Sequence, residues 1–146
     1  MIRTILLGFL AGFVSVLVFH QGTAFLMHAF GNDIPAVVGF FGRTTPPFNM
    51  TPTKPLGVPL IGSQAFWGGV WGIVLAFILV KLRPPALLFG FVFGALALTI
   101  VAVTLVPALK GLPGWSGAIP WRGLLYNGAW GWGVALMLLG PLALRR

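Results

Sequence analysis

The sequence predicts an all-α integral membrane protein: four transmembrane helices arranged as two duplicated parallel helical hairpins, with one long outer loop. Three observations carry this expectation. Of 146 residues, 58% are hydrophobic and only 7% charged, against about 25% charged in an ordinary soluble domain, so a water-facing surface cannot be assembled. Four apolar stretches reach the roughly 20 residues that a helix needs to cross the hydrocarbon. The two halves of the chain also repeat a pattern of small and aromatic residues. With a mean hydropathy of +1.02 and no cysteine, the composition excludes soluble enzymes, nucleic-acid binders, disordered linkers and disulfide-stapled secreted domains.

The first span runs from Ile5 to about Leu26. Its charged start, Met1-Ile2-Arg3, and small-residue exit, Gly22-Thr23-Ala24, resemble a signal peptide, but the apolar run exceeds a usual signal core, so we read a retained helix. A long connection follows, from about Met27 to Pro59. Thr44-Thr45-Pro46-Pro47 and Thr51-Pro52-Thr53-Lys54-Pro55 bias it toward extended backbone, and Ile34 to Phe41 is apolar enough to lie in the interface. Asn49-Met50-Thr51 matches a glycosylation triplet, a pattern that chance often produces. The remaining spans are Leu60 to Val80, Ala86 to Leu109, and Gly123 to Leu144. Pro107 and Pro141 fall in the last turns of the third and fourth, where a lost backbone donor is easiest to tolerate. The whole chain, 1–146, is one membrane domain, with repeat 1 over about 1–81 and repeat 2 over about 82–146.

The net charge of +8 comes from nine basic residues and the single acid Asp33. All nine lie outside the apolar runs, which points to anionic lipid headgroups as partners and away from nucleic acid. Arg3, Lys81, Arg83, Arg145 and Arg146 share one side, in a short turn and two short tails. Arg43, Lys54, Lys110 and Arg122 are spread through the longer loops opposite. The denser side is expected to be the cytoplasmic one, which places both termini in the cytoplasm.

Leu6 to Gly12 lines up with Leu88 to Gly94 at a shift of 82, and Gln64-Ala65-Phe66-Trp67-Gly68 with Asn127-Gly128-Ala129-Trp130-Gly131 at a shift of 63. Each repeat holds two helices, so both enter from one side and are related by an axis along the membrane normal. Gly8, Gly12 and Ser15, with the counterparts Gly90, Gly94 and Ala97, have the small-xxx-small spacing that lets helix backbones approach closely. Helix packing is their first meaning; a ligand slot is the alternative.

His20 and Gln21 are the most informative pair, because a polar side chain within a span is costly and is kept facing protein or water. Their counterparts, Ala102 and Val103, are apolar. His20 lies about 22 Å along the helix from Ile5 at the standard rise, and Gln64 and Asn127 begin their own helices at that end. These four are expected to form one outer polar layer, either as interhelical hydrogen bonds or as a ligand or proton site. Trp67 and Trp130, with Trp71 and Trp132, sit among glycines, where indoles either pack on neighbouring helices or line a slot for a quinone, carotenoid or acyl chain. The candidate cofactor-binding layer is therefore His20, Gln21, Gln64, Trp67, Asn127 and Trp130. Trp115 and Trp121 fit an aromatic belt at headgroup depth.

No catalytic constellation is visible. The only histidines, His20 and His28, are about 12 Å apart along one helix, too far to sandwich one haem iron within a monomer; single ligation of a haem or chlorophyll by His20, or ligation across a dimer, is the alternative. Ser15, Ser63 and Ser116 have no neighbouring acid to complete a triad, and no carboxylate lies within a span for ion coupling. The expectation is a protein that is not an enzyme and has no resident metal or cofactor.

Phe19-His20-Gln21-Gly22, Pro55-Leu56-Gly57-Val58-Pro59 and Ala65-Phe66-Trp67-Gly68-Gly69-Val70-Trp71-Gly72 together resemble a group of small uncharacterised bacterial inner-membrane proteins. The resemblance covers most of the chain and implies bacterial origin and four-helix topology, without an activity. The expected role is a non-catalytic accessory or assembly subunit of a larger inner-membrane complex, respiratory or photosynthetic, in contact with other membrane subunits. The alternative is a small self-associating transporter or channel.

Overall fold

A bilayer offers no water to backbone polar groups, so apolar runs must bond within themselves as helix. The computed structural model, which describes residues 1–145, follows that rule. Helix α1 (Ile2–Ser15) passes through a π-helical turn (Val16–His20) into α2 (Gln21–Ala29) and a 3₁₀ turn (Gly31–Asp33). The connection holds a short helix α3 (Pro35–Phe41) and a two-stranded antiparallel ribbon, β1 (Pro52–Thr53) with β2 (Val58–Pro59). Helix α4 (Leu60–Leu82) turns at Arg83 into α5 (Ala86–Phe93), a second π turn (Gly94–Leu98), α6 (Thr99–Val103) and α7 (Leu105–Leu109). Helix α8 (Trp121–Leu138) closes the fold.

Three helical stretches are long and apolar enough to cross a membrane: Ile2–Asp33, Leu60–Leu82 and Ala86–Leu109. This is the signature of a multi-pass membrane protein. The expected fourth span differs. Helix α8 has 18 residues and carries Arg122, Tyr126 and Asn127, so length and composition alone do not mark it as a crossing. It also stops at Leu138 rather than Leu144, because Pro141 has no N–H to continue the ladder. Of the basic residues used for orientation, Arg146 lies outside the described residues.

Helix α1 packs along α4, and α5 packs along α8. At the first crossing Gly8 and Gly12 meet Gly72 and Gly68, with the Phe9 ring over Gly69. At the second, Gly90 and Gly94 meet Gly131 and Asn127, with the Phe91 ring over Gly128. The contact sets recur at a shift of 82 in one partner and 59 in the other. The recurrence differs by four residues from the shift of 63 expected for the second helices: Gly68, Gly69 and Gly72 make in the first crossing the contacts that Asn127, Gly128 and Gly131 make in the second. Four residues is about one helical turn, which returns the same face, so periodicity alone could not separate the two registers.

The two pairs join through α8, which touches α1 and α4 as well as α5. Trp130, Val134 and Ala135 are fully buried there, beside Leu75, Ala76 and Leu79 of α4. Trp130 Nε1 donates to the Gly12 carbonyl at 2.9 Å, and Ser15 Oγ donates to the Trp130 carbonyl at 2.6 Å. A glycine backbone brought close by packing thus gains a side-chain donor.

Candidate functional site

The polar end of the bundle is built by the first π turn. Along α1 the buried positions Gly8, Gly12 and Val16 recur every four residues, which points to His20 as the next. The extra residue of a π turn rotates the helix face, and Gln21 is buried instead, 5% exposed, with His20 half-buried. The second π turn does the same on the third span: Gly90 and Gly94 are followed at the buried face by Thr99.

Gln21 is the hub. Its Oε1 accepts from the Phe48 backbone N–H at 2.7 Å, and its Nε2 donates to Gln64 Oε1 at 3.2 Å. The same Nε2 lies 3.2 Å from His20 Nδ1. Because an amide nitrogen only donates, His20 Nδ1 accepts and the ring proton sits on Nε2. The His20 ring also meets Tyr126 of α8 edge to face, centroids 5.5 Å apart.

Three of the four residues expected in one layer are therefore together, and the fourth is not. Asn127 donates to Thr99 Oγ1 at 2.9 Å and serves the α6–α8 contact. Of the two indoles in the candidate set, Trp130 is wholly enclosed by the helix core, and Trp67 is 58% exposed on the outer face of α4, beside Phe66. Neither Trp67, Trp130 nor Asn127 lines the polar cavity. Gly8, Gly12 and Ser15 are buried at helix contacts, as are Gly90 and Gly94, while Ala97 is half-buried.

Sequence reasoning missed the loop and the tip of α8. Segment 44–49 folds over the polar cluster and, with His20, Gln21, Gln64, Arg122 and Tyr126, encloses a cavity of about 220 Å³. The segment is pinned at several points. Asn32 Oδ1 accepts from the Thr44 N–H at 2.9 Å, His28 Nδ1 donates to the Thr44 carbonyl at 2.9 Å, and Arg122 donates to the Arg43 carbonyl at 2.9 Å. Further along, the Ile61 N–H donates to the Asn49 carbonyl at 3.0 Å. Pro46 and Pro47 were legible only as extended backbone. Which helices they would cover depended on partners 12 to 79 residues away.

No family model, curated protein or solved structure matches this chain. Among the described residues the cavity is bordered by polar side chains, one guanidinium and an apolar part that includes Phe48 and Leu60, without a carboxylate. Its volume is below the roughly 300–1,000 Å³ of common small-molecule pockets, and a haem or chlorophyll macrocycle would not fit. A second hollow, about 190 Å³, lies between α1 and α8 and is lined by apolar side chains including Leu7, Leu10, Val14 and Met137.

Proposed function

We propose that the protein is a non-catalytic accessory subunit of a larger bacterial inner-membrane complex, built as a four-crossing bundle of two duplicated hairpins with both termini in the cytoplasm. One observation carries the non-catalytic reading: the buried polar side chains are engaged in holding the protein to itself. Ser15 and Trp130 tie α1 to α8, Gln21 ties α2 to α4 and to the loop, and Thr99 binds Asn127. Among the described residues no buried side-chain nitrogen or oxygen lacks a partner. A catalytic or coupling group would instead present a reactive atom to substrate.

The duplication is supported by the recurring glycine crossings, including the aromatic ring laid over a glycine in each pair. The fourth crossing is supported by the burial of α8: a helix wrapped by three others does not need an apolar surface of its own to lie in a membrane. Between the polar cavity and the opposite end, Trp130, Val134 and Leu138 fill the middle of the bundle, which favours a scaffold over a conducting path. Purification of the untagged protein in mild detergent is the test. Co-migration with other subunits is expected, and a homogeneous homo-oligomer that conducts in liposomes would replace this reading with a transporter or channel.

A further inference from the structure

The donors around the 220 Å³ cavity are not all engaged. With Nδ1 accepting from Gln21, the His20 Nε2–H makes no hydrogen bond among the described residues. The Gln64 side-chain amide accepts through Oε1 and leaves its NH₂ free. The Tyr126 hydroxyl has no partner among the described residues, and Arg122 uses one guanidinium nitrogen on the Arg43 carbonyl, leaving the rest of its planar fork. None of these atoms is sealed from solvent, since among the described residues no unpaired side-chain nitrogen or oxygen is buried. Asp33, the chain's single acid, does not border the cavity.

Four side chains with free N–H or O–H donors, one of them a permanent cation, with no acidic side chain among the described residues that line the cavity, are complementary to an acceptor-only anion. Arginine forks match phosphate oxygens in geometry as well as charge. We infer that the cavity at the α8 N-terminal end, bordered by His20, Gln64, Arg122 and Tyr126, binds the phosphate headgroup of an anionic phospholipid. Arg122 supplies charge at the rim, and Tyr126 and His20 supply neutral donors deeper in. The lipid source is favoured over a free anion by position. Trp121, beside Arg122, packs on Phe40 with ring centroids 4.8 Å apart, an aromatic pair of the kind found at headgroup depth. This inference needs only membrane embedding and stands apart from the subunit role proposed above.

The test uses the full chain in nanodiscs of equal parts phosphatidylcholine and phosphatidylglycerol, with retained lipids counted by native mass spectrometry. The wild-type protein is expected to retain phosphatidylglycerol preferentially. Arg122→Gln should reduce that retention about tenfold, the factor equivalent to about 1.4 kcal/mol. Because Arg122→Gln also removes the tie to Arg43, Tyr126→Phe is the second variant: among the described residues its hydroxyl bonds nothing, so the change removes a donor and leaves packing intact. Tyr126→Phe should lower retention while melting like wild type. Arg83→Gln, at the opposite end of the bundle, should retain phosphatidylglycerol as wild type does. Equal retention by wild type, Arg122→Gln and Tyr126→Phe would overturn the site. Loss of the bound lipid on adding inorganic phosphate would assign the site to free phosphate and overturn the lipid source. A loss in Arg83→Gln as large as in Arg122→Gln would reduce the effect to net charge and overturn it equally.

Discussion

Gln21 shows how one side chain organises a region that its neighbours in sequence only frame. It holds the loop through the Phe48 N–H and α4 through Gln64. Interhelical hydrogen bonds in membranes average about 0.6 and reach about 1.7 kcal/mol, so Gln21→Leu should lower stability by about 1 to 2 kcal/mol. The Phe48 amide should then exchange with deuterium faster, and unchanged protection would show that the loop is held without Gln21. His20→Leu leaves both of those bonds in place and should cost under about 1 kcal/mol. The glycines behave differently, because their contribution is a missing side chain. At Gly12 any Cβ would run into the Gly68 carbonyl, and at Gly94 into that of Asn127, whereas nothing stands within 4 Å of a Cβ at Gly22. Gly12→Leu and Gly94→Leu should each destabilise by about 1 to 3 kcal/mol, and Gly22→Leu should melt in detergent near the wild-type temperature. Equal melting of all three would mean that the crossings are looser than described.

The π turns decide which faces the first and third helices present. Wound as ordinary α-helix, the same sequence would continue the four-residue rhythm of Gly8, Gly12 and Val16 onto His20 and turn Gln21 aside. Deleting Val18 should remove the extra residue of the turn, restore ordinary helical winding and leave Gln21 four residues after Val16, on the same buried face. The Phe48 amide should then keep the protection that it loses in Gln21→Leu, with helix content by circular dichroism unchanged. Protection lost in the deletion would show that the turn does not set the register in this way. Helix α8 illustrates the opposite case, an element whose own composition is a poor guide. Its glycines, tryptophans and Asn127 make it less apolar than the other long helices, and its place among α1, α4 and α5 removes the need for apolar character.

Topology joins these elements into one bundle, and the absence of cysteine makes it directly measurable. If both termini are cytoplasmic and α8 crosses, as proposed above, cysteines introduced at Thr53 and Ser116 should react with an impermeant thiol reagent from the periplasm, and one at Pro84 should not. Labelling at Pro84 alone would invert the orientation. Labelling at Thr53 but not at Ser116 would place those two loops on opposite sides and so contradict a crossing of the membrane by each of α4 and Ala86–Leu109.

Hydropathy, charge and small-residue spacing belong to the sequence by itself, because the bilayer acts on each segment locally. They determined the membrane class, the extents of the second and third long apolar helices to within two residues, the small-residue stripes, and the expectation that Gln21 and Gln64 meet. The tertiary structure decided what depends on rotation and on distant partners. A π turn moved the buried polar position from His20 to Gln21, the contacts that Gly68 makes in the first crossing recur at Asn127 rather than at Gly131 in the second, and Thr99 took Asn127 out of the expected layer. The lid over the cavity was likewise invisible in advance. An extended proline segment has no periodicity to read, and its position follows from side chains on α2, α4 and α8 that reach it only once the bundle has formed.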